Sequence, residues 1–217
     1  MKKSKESLRI TEVFHSLQGE SVKVGLPTVF VRLTGCPLRC QYCDTAYAFH
    51  GGKVIDIDDL VKEITSYHCK HICITGGEPL AQPGVFSLMT RLSDKNLAVS
   101  LETSGAMDVA PVDKRVMIIM DLKTPDSGED KKNLFENIKH LKINDQIKFV
   151  LCSRNDYDWA CKIVDEHQLT ERVEVLFSPS YQQLNATMLA DWILQDRIDV
   201  RMQIQLHKLL WNDEPGR

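Results

Sequence analysis

Three observations predict an α/β fold built as a partial, incomplete βα barrel of the TIM-like kind. Eight short apolar runs, rich in Val and Ile, punctuate the chain. Patterns of helical period lie between several of them, and strands that alternate with helices build parallel βα units. The chain has 217 residues, fewer than the roughly 250 that a complete eight-fold barrel takes. Residues that do chemistry then belong at the C-terminal ends of the strands.

Taken in order, the first strand is predicted at 8–14 and the second at 28–33, which leads straight into the loop 35–49, G-C-P-L-R-C-Q-Y-C-D-T-A-Y-A-F. A helix over 57–67 follows, with Asp56 as its N-cap and Leu60, Val61 and Ile64 on one face. The strand at 71–75 runs into Thr75-Gly76-Gly77-Glu78-Pro79, ahead of a helix at 85–93. A strand at 97–102 ends in Glu102-Thr103-Ser104-Gly105, and one at 115–121 in Asp121-Leu122-Lys123. A helix over 131–140 precedes a strand at 146–152 and a helix at 157–167. The strand at 172–177 leads into Phe177-Ser178-Pro179-Ser180; a helix at 185–195 and a strand at 200–205 complete the series.

No repeat, low-complexity tract or linker-like shift interrupts the pattern, which predicts a single domain over 1–217. The net charge of −3 provides no basic field for a polynucleotide, so a small-molecule protein is expected and no nucleic-acid partner. No run of about 18 apolar residues predicts a membrane span. The basic start M-K-K-S-K lacks the apolar stretch of a secretory signal. Seven cysteines in such a chain point away from a disulfide framework and toward a reducing, cytoplasmic compartment.

Three of those cysteines, Cys36, Cys40 and Cys43, stand as C-x3-C-x2-C on the loop after the second strand. Thiolates hold iron–sulfur clusters, and a four-iron cluster takes four ligands. Three cysteines therefore grip three irons and leave the fourth open. The alternative is a zinc staple, whose fourth ligand would come from the stretch His68-Cys69-Lys70-His71-Ile72-Cys73. Cys69, Cys73, Cys152 and Cys161 read most simply as small buried apolar residues.

Other stretches carry weaker signals. The paired glycines of T-G-G-E-P let backbone approach a ligand or take positive φ, and Glu78 offers a carboxylate for an ammonium group. Leu17-Gln18-Gly19-Glu20 carries an amide and a carboxylate suited to an aminopyrimidinone edge. Arg32 interrupts an apolar strand, where an unpaired charge costs several kcal/mol. A substrate carboxylate or a protein acid would satisfy it. Thr45 sets a hard oxygen beside the cysteines, read from the residues alone first as a plain turn hydroxyl and second as an admissible ligand for Mg2+.

The cysteine triplet, followed one βα unit later by T-G-G-E-P, resembles the radical S-adenosylmethionine (SAM) superfamily. That resemblance implies a partial barrel of the radical SAM type, with a [4Fe–4S] cluster on Cys36, Cys40 and Cys43 and SAM on the open iron. Electron transfer then cleaves SAM to a 5′-deoxyadenosyl radical. Within the superfamily, F-x-S-L-Q-G-E, F-V-R-L-x-G-C-x-x-x-C-x-Y-C-D-T, T-G-G-E-P, E-T-S-G, D-L-K-T-P and Q-L-H-K look like the 7-carboxy-7-deazaguanine synthase family. A glycyl-radical activase, the other short radical SAM reading, would need a peptide-sized mouth.

The family resemblance implies a lyase of queuosine and 7-deazapurine biosynthesis. It converts 6-carboxy-5,6,7,8-tetrahydropterin to 7-carboxy-7-deazaguanine and ammonia, with Mg2+, a homodimeric assembly and a flavodoxin-type electron donor. It further implies that Leu17, Gln18, Gly19, Glu20, Arg32, Thr75 and His207 contact the pterin and that Thr45 binds Mg2+. Tyr42, Asp44, Gly77, Glu78, Glu102, Ser104, Asp121, Leu122, Lys123, Phe177, Ser178, Pro179 and Ser180 would line the SAM site. The segment 200–217 would reach the substrate side, and no side chain is singled out as acid or base.

Overall fold

The computed structural model describes residues 6–212, 214 and 216; of the segment 200–217, residues 213, 215 and 217 lie outside the described residues. Among the described residues nine strands form one sheet: β1 (Ser7–Leu17), β2 (Pro27–Leu33), β3 (Lys53–Asp56), β4 (His71–Gly76), β5 (Ala98–Thr103), β6 (Met117–Asp121), β7 (Gln146–Leu151), β8 (Glu174–Pro179) and β9 (Arg201–Met202). Their order is β3-β1-β2-β4-β5-β6-β7-β8-β9. From β2 onward neighbouring strands in that order run parallel, while β1 is antiparallel to both β2 and β3. The C-terminal ends of the parallel strands therefore share one rim, and the sheet does not close.

The helices are α1 (Ile57–Ser66), α2 (Gly84–Ser93), α3 (Arg154–Glu166), α4 (Ala186–Asp196) and α5 (Leu206–Trp211). Side-chain oxygens cap three of them: Asp56 accepts from the Asp58 amide, Ser153 from Asp156 and Asn185 from Thr187 and Met188. Alternation along the strands sorts the residues. Val29, Val31 and Leu33, Ile72 and Ile74, Val99 and Leu101, Ile118, Met120 and Leu122, Ile147, Phe149 and Leu151, and Val175 and Phe177 enter the core with Leu60, Ile64, Leu88, Tyr157 and Leu189 of the helices. The intervening residues face the other way.

On that second face the sheet curves enough for one loop to cross it. Residues 18–26 leave β1 and reach β7 and the chain beyond β9. The Val22 amide donates to Gln146 Oε1 at 3.1 Å, and the Ser21 amide to Gln203 Oε1 at 3.1 Å. Lys148 Nζ reaches Glu20 Oε2 at 2.6 Å. This loop makes the open sheet a partial barrel with a filled base.

Every predicted strand is present, with differences at three places. β3 was not read from the sequence, being a short, half-exposed edge strand after Gly51-Gly52. The predicted helix over 131–140 is two separate 3-10 turns, Asp130–Lys132 and Phe135–His140. Side chains pull this stretch out of helical register: Asn133 bonds both the amide and the carbonyl of Lys123, and Asn137 donates to the carbonyls of Gly105 and Met107. Finally, the strand predicted at 200–205 keeps two residues, because Leu206 turns away to donate to the Gly19 carbonyl at 3.0 Å and starts α5.

Candidate active site

The concave face holds a cavity of about 540 Å3 at the C-terminal rim, lined from β2, β4, β5, β6 and β7, the cysteine loop and the C-terminal segment. Phe30 and Arg32, Thr75, Glu102, Ile119 and Asp121, and Lys148 and Val150 all line it, so alternate residues of five strands converge there.

Cys36, Cys40 and Cys43 are free, partly buried thiols on the wall of this cavity. Their loop is tied down from both sides. Gly35 donates to the Ala48 carbonyl at 2.8 Å, the Gln41 amide to the Ser127 carbonyl at 3.0 Å, and the Arg39 amide to Glu129 Oε1 at 2.6 Å. Burial pushes the Cys40 thiol up to about 11, opposed by the cation of Lys123, and burial raises Cys36 and Cys43 as well. Thiols held this way ionise when a metal supplies the compensating charge.

Sheet register sets Cys69 and His71 too far from them to complete a zinc tetrahedron. Cys69 donates to the Pro27 carbonyl at 3.1 Å, beside the pairing of Thr28 with His71. The cysteine loop starts beyond the pairing of Leu33 with Gly76, five steps of register and about 16 Å away. Cys73 is fully buried as predicted, whereas Cys69, Cys152 and Cys161 are only partly so.

The T-G-G-E-P turn packs against that loop. Gly77 donates to the Leu33 carbonyl at 3.1 Å and Glu78 to the Gly35 carbonyl at 2.8 Å. A Cβ on Gly77 would fall 2.2 Å from the Gly35 oxygen and 2.8 Å from Cys36 Cβ, so only glycine lets β4 and the cysteine loop meet. Glu78 is fully buried and does not line the cavity. Its carboxylate accepts from Thr103 Oγ1 at 2.9 Å, the Ser104 amide at 2.7 Å, Ser104 Oγ at 2.5 Å and the Leu80 amide at 3.0 Å. The carboxylate thereby clamps the end of β5 to the glycine turn.

Charge fills the cavity's inner wall. Lys148 bridges Glu20 at 2.6 Å and Asp121 at 3.5 Å, with the Lys148 and Glu20 side chains 12% and 13% exposed. Lys123 meets the same Asp121 oxygen at 3.1 Å and lies 5.7 Å from the centre of the Tyr42 ring. Burial disfavours the Glu20 carboxylate, but Lys148 and Gln205 outweigh it and hold Glu20 below its ordinary value. Gln205 donates to Glu20 at 2.8 Å, and Lys208, 5% exposed, pairs with Asp44 at 2.9 Å. Thr75 Oγ1 donates to Glu102 at 2.9 Å.

Two motifs far apart in sequence lock together here. The His207 ring packs on Gly19, where a Cβ would fall 2.1 Å from Nδ1. Arg32 sits between the rings of Phe14 and Tyr47, each 5.8 Å from its guanidinium carbon, and its Nε donates to Glu12 at 2.7 Å. The protein acid foreseen as one possible partner is thus Glu12, engaged through Nε alone.

Leu17, Gln18, Gly19, Glu20, Arg32, Tyr42, Asp44, Thr45, Thr75, Gly77, Glu102, Ser104, Asp121, Lys123, Ser180 and His207 line the cavity with the cysteines. Leu122 and Phe177 do not. They lie on the opposite parity, Phe177 edge-on to Phe149 and Tyr157 in the core. Ser178 donates to the Gln203 carbonyl and, like Pro179, stays outside the lining. Sequence reasoning missed Glu12, Tyr47, Lys148, Gln205 and Lys208. Lys148 carried the signal that found Arg32, a charge inside an apolar strand.

The cavity fits a thiolate-held cluster with a polar, nucleoside-sized ligand beside it. Tyr42 Oη and Asp121 Oδ1 are buried there with no hydrogen-bond partner among the described residues, an arrangement that costs about 1–3 kcal/mol per group unless a ligand completes it.

Comparison with known proteins agrees. The family model described as the radical SAM superfamily matches residues 30–166. The 7-carboxy-7-deazaguanine synthase of Chlorobaculum tepidum is 41% identical over 211 residues, spanning 95% of this chain and 96% of that protein. Its counterpart from Thermoplasma acidophilum is 35% identical, spanning 95% and 99%. The crystal structure of QueE from Escherichia coli shares the fold, with a TM-score of 0.78 at 20% identity over 93% of this chain and 95% of that one.

Proposed function

The chain belongs to the radical SAM superfamily and, within it, to the 7-carboxy-7-deazaguanine synthases; from that membership we propose how its residues divide the work. It is a radical SAM carbon–nitrogen lyase of queuosine and 7-deazapurine biosynthesis. It makes 7-carboxy-7-deazaguanine from 6-carboxy-5,6,7,8-tetrahydropterin with release of ammonia. One observation carries the assignment of roles: residues from 17–20, Arg32, the three cysteines, 75–77, 102–104, Asp121, Lys123, Gln205, His207 and Lys208 line a single cavity.

Cys36, Cys40 and Cys43 are the three ligands of a [4Fe–4S] cluster, and SAM lies across the rim formed by Gly77, Glu102, Ser104, Asp121, Lys123 and Ser180. When bound, these groups would supply the one-electron chemistry that removes a hydrogen atom from C6 of the pterin. The protein's share is positioning. Tyr42 and Asp121 offer their unpartnered polar atoms to SAM. Arg32 takes the substrate carboxylate, while Gln18 and Glu20 address the pyrimidinone edge with Thr75 beside them. His207 closes the substrate side over Gly19.

Thr45, whose hydroxyl donates to Asp44 Oδ1 at 2.8 Å, is the proposed protein ligand of Mg2+, which neutralises and orients the carboxylate. A single domain, a homodimer, a flavodoxin-type electron donor and a cytoplasmic location complete the proposal. Among the described residues no helix is long and apolar enough to cross a membrane. The test is anaerobic reconstitution with iron, sulfide, reductant, SAM, Mg2+ and the carboxytetrahydropterin. A deazapurine of the product mass is expected, and SAM cleavage without it would refute the substrate assignment.

A further inference from the structure

β1 and β2 pair antiparallel, yet the register slips by one residue: Ile10 faces Leu33 and Glu12 faces Arg32, leaving Thr11 as the extra residue of a β-bulge. Without the bulge Thr11 would stand opposite Arg32, and Glu12 would join Val31 on the core side. Leu8 and Ile10 before the bulge are core residues, and so is Val31 opposite Val13 beyond it. The bulge therefore swaps parity once, for Glu12 and Phe14. Bulges of this kind re-aim a side chain and gather beside active sites.

What the swap delivers is a carboxylate served by two hydrogen-bond donors. Glu12 Oε1 accepts from Arg32 Nε at 2.7 Å and from Tyr47 Oη at 2.8 Å, so one oxygen joins β2 to the cysteine loop. Among the described residues Arg32 makes no other hydrogen bond, and its side chain is 16% exposed on the cavity wall. A guanidinium offers two paired edges to a carboxylate. With Nε engaged, the pair of terminal amines is the edge left for a ligand. A side chain already fixed in this way loses less rotamer freedom when the ligand arrives.

The geometry points to Glu12 as a positioning residue that holds Arg32 end-on to the substrate carboxylate, with Tyr47 steadying Glu12. This rests on reading Arg32 as the carboxylate anchor. Glu12 touches neither cluster nor substrate; its effect passes through Arg32.

The test measures equilibrium binding of 6-carboxypterin, and of pterin lacking the carboxylate, to the cluster-loaded protein with SAM under anaerobic conditions. Glu12→Ala is expected to weaken 6-carboxypterin roughly tenfold and to leave the plain pterin unchanged. Glu12→Gln keeps an oxygen that accepts from Nε and recovers most of the loss. In an Arg32→Ala background Glu12→Ala adds nothing. Equal weakening of both ligands marks a folding defect and overturns the proposal. So does a Glu12→Ala effect that persists undiminished without Arg32. If Arg32→Ala weakens 6-carboxypterin alone while Glu12→Ala does not, the positioning role fails and the anchor stands. If Arg32→Ala spares 6-carboxypterin, the anchor itself fails, and the role of Glu12 with it.

Discussion

Along β7, Ile147, Phe149 and Leu151 are fully buried against the helices, while the side chain of Lys148 among them is only 12% exposed on the other side, beside Glu20 and Asp121. One strand thus serves two interiors with different rules. The outer one is held by apolar area and shape, and it tolerates change in proportion to the volume removed. The inner one is held by paired charges whose partners come from distant segments, so removing one member strands the others.

That contrast can be broken most forcefully at Lys148. Lys148→Met leaves Glu20 and Asp121 without their bridging cation and is expected to cost about 3–5 kcal/mol in denaturant unfolding. Adding Glu20→Gln should return part of that loss, which two independent sites would not do. Leu101→Ala on the outer face should cost about 2–5 kcal/mol. The folded fraction should keep its iron content and substrate affinity, and a loss of either would blur the division between the faces.

The smallest effect expected is one of pH. Glu20 is held below its ordinary value, so its contribution is complete above the unfolded value of about 4.5 and is lost as pH falls through the lower folded value. Wild type should therefore lose stability faster than Glu20→Gln on acidification below pH 5, and parallel curves would contradict the pairing.

The same two faces explain what was legible in the sequence. Motifs whose residues act through backbone or through consecutive loop positions, such as Cys36 to Cys43 and Gly76-Gly77, landed in the cavity. Residues carried along with a strand-end motif were sorted by alternation instead: Asp121 and Lys123 face in, while Leu122 between them faces the core. Alternation also turns the Phe177 ring into the core, and a one-residue register is what a motif does not encode. The setting of Glu78 was not legible either, because its partners Thr103, at the end of β5, and Ser104, just beyond it, become neighbours only when the sheet assembles. Glu12 depended on a bulge no local signal announces. The helix expected over 131–140 gave way to side-chain bonds from Asn133 and Asn137 to distant backbone.

The most direct test of the inner face is to load the protein anaerobically with iron and sulfide, reduce it, and record its electron paramagnetic resonance before and after adding SAM. Three thiolates with one open iron predict about four irons per chain and a cluster signal that changes when SAM arrives. A single bound zinc, or a cluster signal indifferent to SAM, would contradict the account.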